Sequence, residues 1–277
     1  MFIYQQWDEF CKKLKNEGVA SVTASSVLKN QSDDTFIILK HDVETNPLKA
    51  LKLAEIENKY SHKGSYYVQA YLLENEKNIS ILKKIQELGH EVSYHHDVMD
   101  SNQGNVAKAK KEFQANKALF ENNGFTLETV CQHGNPVMER DGYTSNRDFF
   151  RNASIAETFN QISEIMVNFR GRIKRNYKYI SDAGYGWKII YDPENNDIIN
   201  SSEKDIALGH LDNVLKVIQT QKSVIVSTHP HRWHSSAIQA KATNIKFILV
   251  KNTAKLMLKV PFMKKIMGKF YFLAKKI

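Results

Sequence analysis

The apolar run Phe36-Ile37-Ile38-Leu39 leads into the ionisable residues Lys40, His41 and Asp42, with Val43 and Glu44 after them, and Pro47 then opens a helical pattern through Leu48, Leu51, Leu53 and Ile56. A run of this length that ends in a loop and leads into a helix reads as one βα unit. Asp42 and Glu44 stand two apart, so on an extended backbone both carboxylates leave the same face. Carboxylates that close suit a metal ligand beside a general base, because like charges there need a cation. For this stretch alone, a helix-capping turn with solvated acids is the competing reading. Later strand patterns end the same way, in His95-His96, His133, Asp182 and His229. A barrel of parallel strands gathers its carboxyl ends at one mouth, where these residues would converge. One strand ending in His says nothing, but five ending in His or Asp are hard to ascribe to core packing.

The elements that must carry these ends alternate. A short amphipathic helix is expected over 6–17, with Trp7, Phe10, Cys11 and Leu14 inward. Strands follow at 35–41, 64–69, 90–97, 128–133, 177–182 and 223–229, with helices at 47–60, 80–88, 105–122 and 205–220. Residues 137–175 read as short strands and loops, and 183–187 as a flexible segment. Alternating strand and helix imply a mostly parallel sheet with helices outside. The expected class is α/β, a distorted (β/α) barrel of about seven strands over residues 1–250, followed by a basic amphipathic helical tail over 251–277.

Composition agrees with a packed domain. The chain has 277 residues, 42% hydrophobic and 25% charged, within the range of a single α/β barrel. Cys11 and Cys131 form neither a disulfide framework nor a CxxC pattern, which fits a reducing compartment. With no signal-like amino terminus and no long apolar span, a cytoplasmic location is expected. The net charge of +9 is uneven: from Asn213 to Ile277 there are 13 Lys and Arg and no Asp or Glu. Such asymmetry points to an anionic surface.

Taken together, these stretches resemble the polysaccharide deacetylase family (carbohydrate esterase family four), in its subgroup with a His-Asp-Val-Asp start. The resemblance runs from about residue 36 to 233. It rests on His41-Asp42-Val43-Glu44 with Pro47 and Ala50, on Gly89-His90-Glu91-Val92-Ser93-Tyr94-His95, and on His133-Gly134-Asn135-Pro136. Tyr179-Ile180-Ser181-Asp182 and Thr228-His229-Pro230 with Trp233 complete the set. It implies a deacetylase-type barrel, Asp42 as base, Glu44 and His95 as ligands of a divalent metal, zinc foremost, and His229 as acid. Asp182 would orient His229 or a ligand. The chain departs from the pattern at Glu44, where the family has Asp, and at Met99, where its second metal-binding His would fall. A catalytic zinc normally has three protein ligands. His133 is the candidate replacement and His96 the second choice, since strand neighbours point to opposite faces. Periodicity alone leaves open which of His95 and His96 faces inward, because both faces of a barrel strand are buried.

The implied reaction is hydrolysis of the acetamide of an N-acetylated sugar, giving acetate and a free amino sugar. An inactive sugar-binding module on the same barrel is the rival reading. Among the remaining residues, His62 and His210 read as surface, His90 as support for a turn, and Cys131 as core. His231 and His234 read equally as lining the mouth or as solvated. Trp187, Trp233 and Tyr185 read equally as sugar-stacking faces or as core. The basic tail mixes Lys with Leu, Met and Phe and carries no nucleic-acid motif, so its expected partner is the inner face of an anionic membrane, with a terminal helix packed on the barrel as the competing reading.

Overall fold

The computed structural model describes residues 1–30, 35–135, 138–199 and 204–257. Nine strands share one sheet: β1 Phe36–Val43, β2 Gly64–Val68, β3 Glu91–His96, β4 Thr129–Gln132, β5 Ser163–Glu164, β6 Lys178–Ser181, β7 Trp187–Ile190, β8 Ile206–Gly209 and β9 Ser223–Thr228. Their order is β5-β4-β3-β2-β1-β9-β6-β7-β8. Pairing is parallel from β5 through to β6 and antiparallel for β6–β7 and β7–β8. Among the described residues no ladder joins β5 to β8. The fold is mixed α/β, as expected, with β1 central and the added strands at the two ends of the order.

The helices are α1 Tyr4–Asn16, α2 Ala24–Lys29, α3 Pro47–Lys59, α4 Glu76–Glu87, α5 Val98–Ser101, α6 Val106–Asn122, α7 Asp148–Arg151, α8 Ala153–Thr158, α9 Phe169–Ile173, α10 Leu211–Thr220 and α11 Ala237–Met257. Three expectations change. Of residues 137–175, those described carry three short helices and, as strand, the two-residue β5. The helix expected at 205–220 divides into β8 and α10, with Gly209 at φ 73° making the turn between them. The segment read as flexible at 183–187 is a turn whose last residue, Trp187, starts β7. The residues flanking 250 lie within α11, and residues 258–277 of the expected tail fall outside those described.

β1 is buried at all eight positions, the mark of a parallel strand covered on both faces. Its two faces do different work. Ile37 and Leu39 pack with Trp7, Phe10, Leu53 and Val226, while Ile38 joins Tyr67, Cys131 and Ile225. Each such side chain contributes about 1.5–3 kcal/mol on burial. His41 lies on the first face, not at the mouth. Its ring stacks on Tyr66 at 4.2 Å, and Nε2 sits 2.7 Å from Oε1 of the fully buried Glu57 on α3. Trp7 Nε1 and Tyr66 Oη donate to the same carboxylate at 3.0 and 2.8 Å, which satisfies its charge away from water. Gly64 makes room for it, since a Cβ there would lie 2.8 Å from Glu57 Oε2.

Candidate active site

The turn after β1 is what places Glu44. Asn46 adopts a left-handed φ of 46°, which Asn tolerates, and Pro47 occupies the first turn of α3. The chain therefore leaves the strand directly beyond Glu44, whose side chain is 27% exposed. One pleat back, Asp42 points to the same end and Lys40 lies beneath it. Lys40 Nζ, itself buried, donates to both Asp42 oxygens at 2.5 and 2.7 Å and to Ser227 Oγ at 3.3 Å. Burial pushes the Asp42 carboxyl up, but the Lys40 ammonium together with the nearby His95 and His229 outweighs it and holds Asp42 below the usual carboxylate range.

β3 resolves the histidine pair. His95 faces the site and donates from Nδ1 to the Cys131 carbonyl at 3.0 Å, so Nε2 keeps its lone pair for a ligand. Burial drives its pKa down to about 3, leaving it neutral. His96 faces the helix layer. Its ring lies 5.6–5.9 Å from those of Phe113, Phe149 and Phe150, and neither ring nitrogen has a hydrogen-bond partner among the described residues. The backbone amide of His133 donates to the His96 carbonyl at 2.7 Å, which carries the β3–β4 pairing one residue past the strand and brings the His133 ring 5.1 Å from that of His95.

Glu44, His95 and His133 come together. One ligand atom from each lies within 4.8 Å of the others, and His133 Nε2 is 3.2 Å from Glu44 Oε1. The Glu44 carboxyl is raised by burial, yet the His133 hydrogen bond and the nearby imidazoles hold it well below its usual range. A carboxylate and two imidazoles form a donor set suited to a zinc-like cation. Asp42, His95 and Cys131 satisfy the same distance test one layer deeper. There the Lys40 ammonium already supplies the positive charge.

The opposite wall comes from β6 and β9. Asp182, fully buried past the end of β6, accepts from His229 Nδ1 at 2.6 Å, the His229 amide at 3.0 Å, Thr228 Oγ1 at 2.7 Å and Arg232 at 2.7 Å. Those bonds hold its carboxyl well below the usual range against the effect of burial. His229 is thereby locked with Nε2 3.7 Å from Glu44 Oε1 and 3.9 Å from Asp42 Oδ2. Burial lowers its pKa, but the Asp182 charge and hydrogen bond, together with the Glu44 charge, bring it to a net rise.

Several expected roles change. Trp187 and Trp233 are core, 4% and 0% exposed, with Trp233 Nε1 bonded to Thr228 Oγ1 at 2.9 Å. Tyr185 remains half-buried beside the site, its ring 5.0 Å from Arg232. His62 is buried, not surface: Nδ1 accepts from the Ser21 amide and Nε2 lies 2.9 Å from the Cys11 carbonyl. His210 is exposed. His90 accepts from the Gly64 amide and bonds the Ala54 carbonyl, tying β2 to α3. His231 Nδ1 approaches Glu44 Oε2 at 3.7 Å, whereas His234 pairs through its backbone with Phe2 and Tyr4. Lys40 and Arg232 were missed. The signal for Lys40 was its position two before Asp42 on the same strand face. Nothing in the spacing marked Arg232.

No protein-family profile matches the chain, and no curated protein matches it. Among solved structures, one described as a Streptococcus mutans CE4 esterase is similar, with a TM-score of 0.47 and 14% identity over 86% of this chain and 90% of that one. At that score the two backbones diverge too far for residues to be carried across.

Proposed function

We propose that the chain is a metal-dependent hydrolase of the deacetylase type, removing the acetyl group from an N-acetylated sugar in a glycan or glycan precursor. The observation that carries this reading is the trio Glu44, His95 and His133, with Asp42 and His229 set against it from opposite strands. These three residues would hold a divalent cation, zinc first among candidates. When bound, it would supply an acidified water and a positive contact for a developing oxyanion.

The chain's own groups complete the chemistry. Asp42, kept ionised by Lys40, takes a proton from the attacking water. An amide nitrogen leaves poorly as an anion, so it must be protonated as the carbon–nitrogen bond breaks. His229, protonated and directed by Asp182, gives that proton from Nε2. The products are acetate and an amine. Each proton transfer is worth about 10²–10⁴ in rate. The finer expectations belong to this proposal too: a distorted deacetylase barrel of the His-Asp-Val-Asp subgroup over residues 1–250, at the cytoplasmic face of a membrane. The direct test incubates the protein with acetamido sugars, with and without added Zn²⁺. Acetate release that depends on metal is expected; bound metal with no acetate from any sugar would favour a binding module instead.

A pH profile tests the acid. His229 must be protonated, and Asp182 raises its pKa, so kcat/KM falls on the alkaline side as pH rises through that raised value. Asp182→Asn removes the raising charge and leaves burial, which lowers the pKa. The alkaline limb should therefore move to lower pH with the acidic limb unchanged. An unmoved alkaline limb would remove His229 from the acid role.

A further inference from the structure

The exposed aliphatic residues of helix α11, among those described, lie mainly on the side away from the domain. Over its described first half, Ala240 is buried and Thr243 and Asn244 are partly covered, so these mark the face turned to the body. Ile238, Ile245 and Leu249 are 81%, 59% and 62% exposed. At about 100° per residue, Ile238, Ala242, Ile245 and Leu249 fall in one arc of about 60°, nearly opposite Ala240. Lys241 and Lys246, both exposed, flank that arc at about 70° on either side. Among the described side chains, the inward face carries only small or polar residues, Ala240, Thr243 and Asn244, while Ile238, Ile245 and Leu249 stand outward, the reverse of what a helix does when its partner is its own domain.

The charge of this carboxyl-terminal region selects the partner. No acid occurs anywhere from Asn213 to Ile277. A second copy packed stripe to stripe would bring four lysines together with no carboxylate on the helix to pair them. An anionic bilayer meets both demands: the stripe enters the acyl boundary and the flanking lysines reach back to headgroup phosphates. We propose that the outward face of α11 is a docking surface for an anionic lipid bilayer, the helix lying in the interface. No helix among the described residues is long and apolar enough to cross a membrane, so this contact would be superficial. The proposal stands independently of the hydrolase reading.

The test is flotation of the full chain with phosphatidylglycerol-containing vesicles and with pure phosphatidylcholine vesicles, at low and high salt, against Ile245→Glu/Leu249→Glu. Both positions are exposed, and an unchanged thermal melt would confirm that the fold is kept. Wild type should float with the anionic vesicles, less so at high salt, where the lysines are screened. The double variant should partition at least about tenfold less, since interfacial binding scales with buried apolar area. Equal flotation of the two proteins, or no preference for anionic lipid, would overturn the proposal. A dimer in light scattering that the double variant dissolves, without vesicle binding, would overturn it in favour of a second copy. Acetate release from a soluble acetamido sugar should be the same in both proteins, which separates this result from the fate of the hydrolase reading.

Discussion

Asp42→Asn is expected to retain bound metal and to lose about 10²–10⁴ in kcat, the range for removal of a general base. The change keeps the side chain's size and removes its charge, so the loss would report proton transfer and not space. It also strands Lys40, whose ammonium is 1% exposed and has Asp42 as its ion-pair partner. Breaking one half of a buried pair costs about 3–5 kcal/mol, because the remaining charge is left uncompensated. A fall in Tm is therefore expected beside the fall in kcat, and the two must be separated. Lys40→Met/Asp42→Asn removes both charges and should recover most of the stability while staying inactive. Full activity in the single variant would dismiss Asp42 as base. Recovery of activity in the double variant would show that the loss was one of folding.

The second large effect concerns the ligand set. His133→Ala is expected to weaken metal binding by more than the 10–100-fold that loss of a mere second-shell partner costs, because one of three direct donors would be gone. Metal content by mass spectrometry and a chelator competition measure it. His96→Leu is the matched control. It sits on the neighbouring strand and is also buried, but it faces Phe113, Phe149 and Phe150 with both nitrogens unpartnered among the described residues. It should keep its metal. It should also gain about 1–3 kcal/mol, since an unsatisfied buried polar ring is replaced by an apolar side chain. Metal lost from His96→Leu and kept by His133→Ala would exchange the two assignments.

Chain order and residue type by themselves determined the strand ends: Asp42, His95, His133, Asp182 and His229 stand at or just past the strands where apolar runs stop at ionisable residues. They also marked Asp42 and Glu44 as sharing a face, because a two-residue spacing fixes that on any extended backbone. Facing was another matter. His41 and His95 occupy strands buried on both sides, so hydropathy is the same whichever way the ring points. Only the packing of α3, with Glu57, took His41 away from the mouth, and only the aromatic layer under α6 and α7 took His96. The β7–β8 additions and the breaking of 205–220 were equally hidden, since four-residue strands have no period long enough to read. Tertiary structure alone also decided that Trp187 and Trp233 fill the core and that Arg232 supports Asp182. Partners 46 to 50 residues apart leave no local trace, because a contact made across the fold imposes no spacing on the chain that makes it.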